Sequence, residues 1–352
     1  MPAVPQPSVS QPILVTGASS YLGAHIVKVL LSRGYTVRAA VRSQAKIEEL
    51  KNIFPCTQDT LHFVVVEDMQ EEGSFDDAVK RVSAIIHTAS PSILRNPNAP
   101  ADEIVKPAVE GVLNLFWSAL THAGAALKRI VITSSAAAFP SSAKAHVNED
   151  DWDDVDTGKA DAGVDLYRVS KVLAERAAWD WYEAHKASIS WDLTILLPTF
   201  MFGPPLYPSS GLGGTHKMFL DTVLPAHGAG VKREVMQSGD AWLDIRDAAE
   251  AHVRSLERED VGAERVILSS ESFIWQEWLD IANTVWAYIP WSPSGPPFTP
   301  AKGFQELTES KVSRYAVEFD TSKEKRLLGM EWRSKEEMMR DLIVDAVAKG
   351  WV

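Results

Sequence analysis

Between Ile13 and Leu197 the chain carries six short apolar runs, most of them separated by stretches of helical spacing. The runs are Ile13–Thr16, Thr36–Val41, Leu61–Val66, Ala84–His87, Arg129–Thr133 and Leu193–Leu197. Tyr21–Ser32, Ala108–His122 and Leu166–His185 carry the helical pattern. In the first of these Leu22, Ile26, Val29 and Leu30 share a face, and Gly34 stops the helix. Strands that alternate with such helices build parallel βαβ units with right-handed crossovers. The runs are continuously apolar, so both faces of the sheet are expected to be covered. The expected fold is α/β, a doubly wound parallel sheet that takes ligands at the carboxyl ends of its strands.

The pattern changes after Pro198. Residues 199–230 are rich in Pro, Gly and Ser. Trp242–Leu256 returns to a strand and a helix, a Pro-rich loop covers 290–300, and a last helix is expected over 335–347. This divides the chain into a loose arm (1–11), a sheet domain (12–198, with 236–264 returning to it) and a smaller, discontinuous C-terminal substrate-binding domain (199–235 and 265–352).

Composition narrows the partners. With 352 residues, 45% of them hydrophobic, and 12 Trp, the chain can fill a sizeable core. A net charge of −12 with no basic run argues against nucleic acid and anionic membranes. No window reaches the roughly 18 apolar residues of a membrane span. A single cysteine, Cys56, rules out an intrachain disulfide and fits a reducing, cytoplasmic compartment. His87, His216 and His227 lack metal-ligand spacing, so no metal is expected. His252 reads as structural. The acidic stretch from Glu149 to Asp156 reads as a solvated loop.

The segment Thr16-Gly17-Ala18-Ser19-Ser20-Tyr21-Leu22-Gly23 joins the first strand to the first helix. Gly17 permits a tight turn and Gly23 close helix–strand packing. The free amides at the helix start, over Ser19 to Leu22, form a pyrophosphate site. Ser20 stands where a middle glycine is usual. Serine tolerates positive φ poorly, so the loop is expected to sit differently. The second strand ends without an acid to hold a ribose 2′-hydroxyl. Arg42 and Lys46 follow it instead, and two cations there suit a 2′-phosphate, which favours NADPH over NADH.

Tyr167 and Lys171 lie four residues apart, about one helical turn, so both leave one face. A lone phenol is a poor acid–base group because its pKa is near 10. A cation beside it favours the phenolate. Such a pair can pass a proton to a carbonyl oxygen, although the spacing alone is common.

Taken in order, these segments resemble the extended short-chain dehydrogenases/reductases, in the branch of plant dihydroflavonol reductases and fungal carbonyl and aldehyde reductases. The resemblance also includes Asp68-Met69, His87-Thr88-Ala89-Ser90-Pro91, Pro107 to Gly111, Thr133-Ser134-Ser135-Ala136, Leu173-Ala174-Glu175, Pro198-Thr199, Asp244-Ile245-Arg246-Asp247 and Leu328-Gly329. It implies a Rossmann-type domain that binds NADPH/NADP+. It implies Ser135, Tyr167 and Lys171 as catalytic residues, and Asp68, Met69, Thr88, Ala89, Ser90, Thr133, Pro198 and Thr199 along the cofactor. It also implies a monomer, or a homodimer through the helices around 101–122 and 166–185. Pro140 replaces an asparagine used by the plant flavonoid enzymes, which favours the fungal type. Pro91, Phe139, Phe200, Tyr207 and Trp242 are expected pocket walls for an apolar or aryl carbonyl substrate.

The expected activity is NADPH-dependent reduction of an aldehyde or ketone. An NAD-dependent epimerase or hydroxysteroid-type dehydrogenase is the alternative on the same scaffold. A dinucleotide sensor without chemistry is the alternative of another class.

Overall fold

Three apolar residues and Thr16 make β1 (Ile13–Thr16), and every one of them is buried. The computed structural model describes residues 4, 11–55, 57, 59–91, 100–140, 146–155, 164–207, 214–224, 232–289, 299–309, 315 and 317–351. After β1 come α1 (Tyr21–Ser32), β2 (Val37–Val41), α2 (Gln44–Ile53), β3 (Leu61–Val65) and β4 (Ala84–His87). They are followed by α3 (Ala101–Ser118), β5 (Arg129–Thr133), β6 (His146–Val147), α4 (Val164–His185) and β7 (Asp192–Pro198). The remainder holds β8 (Phe200–Phe202), α5 (Gly214–Val223), α6 (Arg233–Gln237), β9 (Gly239–Asp244), α7 (Ile245–Glu257), β10 (Arg265–Leu268) and β11 (Glu271–Ile274). Last come α8 (Trp275–Tyr288), α9 (Glu306–Glu309), β12 (Glu318–Phe319), α10 (Ser322–Leu327) and α11 (Lys335–Ala348).

Among the described residues, seven strands form one parallel sheet in the order β10-β7-β5-β4-β1-β2-β3. Its connections reverse direction between β1 and β4, which opens a crevice at their carboxyl ends. One face packs α1, α2 and α7, and the other packs α3 and α4. A second sheet, β11-β9-β8, carries a separate aromatic core of Phe202, Phe219, Trp242, Phe273, Trp275 and Trp278.

Four expectations change here. Arg265–Leu268, expected among the substrate-side elements, pairs with β7 and completes the main sheet. Four buried residues in a row suit a covered parallel strand. β9, expected in the main sheet, joins the second one instead. The helix expected from Ala108 begins at Ala101, because Pro107 lies inside it and does not start it; a π-helical turn then covers Ala119–Ala123. Of the arm expected to be loose, Val4 is buried and donates its N–H to the carbonyl of Leu256 at 2.8 Å.

The amino end of the sheet is closed by a buried ion pair. Arg129 opens β5 and Asp192 opens β7, and two bonds join them at 2.5 and 2.8 Å. Arg129 also donates to the carbonyls of Ser255 and Arg258, which ties the end of α7 to the sheet. Truncating one partner leaves the other charge buried alone. Arg129→Met is expected to lower stability by about 3–5 kcal/mol in urea unfolding; a loss under about 1 kcal/mol would contradict this role.

Candidate active site

The turn from β1 into α1 is built by close approach. Gly17 has φ +64°, and a Cβ there would stand 2.8 Å from Thr88 Oγ1 and 2.9 Å from the Ala89 nitrogen. A Cβ on Gly23 would run into the Gly17 carbonyl. Ser20 answers the sequence expectation differently. Its φ is −84°, so no glycine is needed, and its hydroxyl caps α1 by accepting from the Gly23 N–H at 3.0 Å. The amides of Tyr21 and Leu22 precede the first intrahelical bond and lie at the positive end of the helix. They suit a pyrophosphate, and Ser19 sits beside them in the same turn. The Tyr21 hydroxyl turns away, donating to the Gly203 carbonyl at 2.6 Å.

At the carboxyl end of β2, Arg42 is exposed and forms no ion pair among the described residues. Lys46 is held by Glu49 at 2.6 Å, so part of its charge is already matched. Ser43, the cap residue of α2, makes no side-chain cap bond. An exposed guanidinium beside an open helix start fits a 2′-phosphate, with Arg42 as the stronger of the two cations. Asp68 and Met69 follow β3. Asp68 accepts the Gln70 N–H, while Met69 fills the space left by Gly111 on α3.

β4 brings the β1 turn and α4 together. Thr88 donates to the Thr16 carbonyl at 2.8 Å, and the Ala89 N–H donates to Thr16 Oγ1 at 3.3 Å. His87 Nδ1 shares a 2.8 Å bond with the same Thr16 oxygen. Burial first, then the nearby Lys171 charge, pushes the His87 pKa down to about 3, so the ring is neutral. Lys171 is 8% exposed and donates to Ser90 Oγ at 3.2 Å. Its Nζ lies 5.6 Å from the centre of the Tyr167 ring, the two residues sharing one face of α4. The Tyr167 ring packs on Ile104 and Leu166.

Ser135 leaves β5 and caps a single 3-10 turn, Ala136–Ala138, accepting from the Ala137 N–H at 3.1 Å. α4 packs against that turn, so the elements carrying Ser135, Tyr167 and Lys171 meet. Thr133 lies just before them, with its hydroxyl committed to His252 Nε2 at 2.9 Å. His252 Nδ1 donates to the Ala248 carbonyl, and burial lowers the pKa of this histidine to about 4. Pro198 ends β7, and Thr199 is held by its N–H to the Leu268 carbonyl.

The expected pocket walls divide. Phe200 is half-buried beside this strand end, and Pro91 is half-buried next to Ser90. Trp242 is wholly buried and stands edge-on to Trp278, 4.8 Å between centroids, so it belongs to the second core. Phe139 is buried against Phe319 and Arg265. Tyr207 is buried with the first core, its phenol raised by burial and then by Glu49, which places it on the α2 side. Aromatic residues next to a site in sequence are spent here on filling cores. The acidic stretch is also not simply solvated: Glu149 is buried, accepting the Ile267 N–H at 3.1 Å, and Asp153 pairs with Arg168. Sequence reading missed these partners because they lie on β10 and α4, far along the chain.

Comparison with known proteins gives the family and the fold. Residues 13–268 match the NAD dependent epimerase/dehydratase family. The chain belongs to that family, the extended short-chain dehydrogenases/reductases. It is 31% identical to tetraketide alpha-pyrone reductase 1 of Arabidopsis thaliana over 97% of this chain and 96% of that protein. It is 28% identical to the NADPH-dependent methylglyoxal reductase GRE2 of Saccharomyces cerevisiae, over 94% and 96%. The crystal structure of yeast methylglyoxal/isovaleraldehyde reductase Gre2 complexed with NADPH superposes with TM-score 0.78 at 25% identity, covering 97% of this chain and all of that one.

Because Ser20 already sits in extended backbone, restoring the glycine should relieve nothing. Ser20→Gly is expected to leave NADPH affinity within about twofold by fluorescence titration and to cost only a few tenths of a kcal/mol of stability; a tenfold tighter complex would show that Ser20 strains the loop.

Proposed function

We propose that this chain is an NADPH-dependent carbonyl reductase that converts an aldehyde or ketone to an alcohol. The observation that carries the reading is the meeting of Lys171, Ser90 and Tyr167 at the carboxyl end of the sheet, beside the helix start at Tyr21 and Leu22. NADPH would lie across the β1/β4 crevice, its pyrophosphate on those amides, its 2′-phosphate at Arg42 and its nicotinamide ribose at Lys171. When bound it supplies the hydride.

The protein's part is position and a proton. Ser135 and Tyr167 hold the substrate oxygen, on which negative charge grows during the transfer. Tyr167 delivers its phenolic proton to that oxygen, and the Lys171 ammonium stabilises the phenolate left behind. Phe200, half-buried after β7, gives the substrate an apolar wall, which supports an apolar or aryl carbonyl. Among the described residues no helix is long and apolar enough to cross a membrane. The single cysteine supports a cytoplasmic location.

Removing the proton donor should cost the chemical step. Tyr167→Phe is expected to lower kcat by about 10²–10⁴-fold with an aldehyde substrate while NADPH still binds; activity within threefold of the parent would refute the mechanism. Arg42 should decide the cofactor. Arg42→Ala is expected to raise KM for NADPH about tenfold or more and to leave KM for NADH nearly unchanged, consistent with losing about 1.5–3 kcal/mol from one charge-assisted bond. Equal losses with both cofactors would place Arg42 elsewhere in the site.

A further inference from the structure

A buried charge network lies directly beneath the proposed catalytic residues, and the chemistry above does not use it. Ser134, the neighbour of Ser135, donates its hydroxyl to Glu175 Oε2 at 2.6 Å. Glu175 sits one helical turn beyond Lys171 and two beyond Tyr167 on α4, and is 2% exposed. Its other oxygen takes Arg265 Nε, from β10, at 2.6 Å. Arg265 in turn donates to the carbonyls of Glu149 and Asp151, both at 2.7 Å. Its guanidinium stacks between Trp152 and Phe139, 3.9 and 4.5 Å from their ring centres. Arg168, between Tyr167 and Lys171, donates to the Phe139 carbonyl at 2.6 Å and pairs with Asp153. The segment that carries Ser135 is therefore fastened to the helix that carries Tyr167 and Lys171.

We infer that Glu175 is a positioning residue for the reduction, setting Ser135 against Tyr167 through its bond to Ser134. The inference rests on the reductase reading above. The geometry favours positioning over simple stabilisation. Both oxygens of a buried carboxylate need partners, and the second oxygen of Glu175 takes its partner from the residue next to the proposed catalytic serine. A charge-assisted bond of 2.6 Å is short and directional, so it fixes where the strand end stands relative to α4. Reacting groups are sensitive to this, since a displacement of ~1 Å can cost about 10²-fold in rate.

Ser134→Ala is the deciding variant, because it removes one hydroxyl and leaves the Glu175–Arg265 pair intact. Glu175→Gln strips a buried guanidinium of its anion and so tests folding as much as catalysis. With Ser134→Ala, kcat is expected to fall about tenfold, with carbonyl KM and NADPH affinity within about twofold. The isotope effect on kcat with NADPH deuterated at the transferred position is expected to be at least that of the parent, because the slowed step is hydride transfer itself. A kcat within twofold of the parent overturns the inference, as does a kcat loss matched by an equal loss of NADPH binding. Tyr167→Phe, run alongside, separates the two readings. If it keeps full activity the reductase mechanism fails and takes this inference with it. If it is inactive while Ser134→Ala runs at the parent rate, the positioning role alone fails.

Discussion

The turn from β1 into α1 has no room for a side chain at Gly17 or Gly23, and the rest of the site depends on that. Contact between the Gly17 carbonyl and Gly23 brings the helix start down onto the strand end. The amides of Tyr21 and Leu22 are thereby aimed at the crevice between β1 and β4. Thr16 then binds the end of the neighbouring β4 and the residues after it, through its carbonyl to Thr88 and its hydroxyl to His87 and Ala89. That contact places Ser90 where Lys171 can reach it. One steric constraint at the first turn thus passes from the start of α1 to Lys171 on α4 through a chain of hydrogen bonds.

The two ends of the sheet carry different burdens. Arg129 and Asp192 close the amino end, where a buried pair holds strands and α7 together and touches no ligand. At the carboxyl end the buried groups face the chemistry. His87 and His252 are held neutral by burial, and Lys171 reaches Ser90 beside them. Arg265 and Glu175 sit just beneath as a matched pair. This division explains why breaking the Arg129–Asp192 pair should cost stability alone, while the Glu175–Arg265 pair bears on both stability and rate.

Much of this was legible in the sequence. The continuous apolar runs gave the parallel sheet, and the Gly17–Gly23 spacing gave the first turn. The Tyr167–Lys171 spacing showed a shared face, which the helix supplies. What stayed hidden were pairings set by distant residues. Local pattern does not say that β10 joins the main sheet while β9 joins the second. Nor does it say that Trp242 meets Trp278. Ser20 misled for a different reason. The expectation assumed that a glycine position demands positive φ, whereas this turn asks for a helix cap, which serine fills better than glycine. The acidic stretch misled because a carboxylate reads as solvated until its buried partner on another strand is known.

The central claim is that hydride passes from NADPH to a carbonyl carbon while this chain protonates the oxygen. Mass spectrometry of the alcohol formed from an aldehyde with NADPH deuterated at the transferable C4 position tests it most directly. The expected result is one deuterium on the carbinol carbon for each cofactor consumed. An alcohol without deuterium, or no consumption of cofactor across aldehydes and ketones, would contradict it.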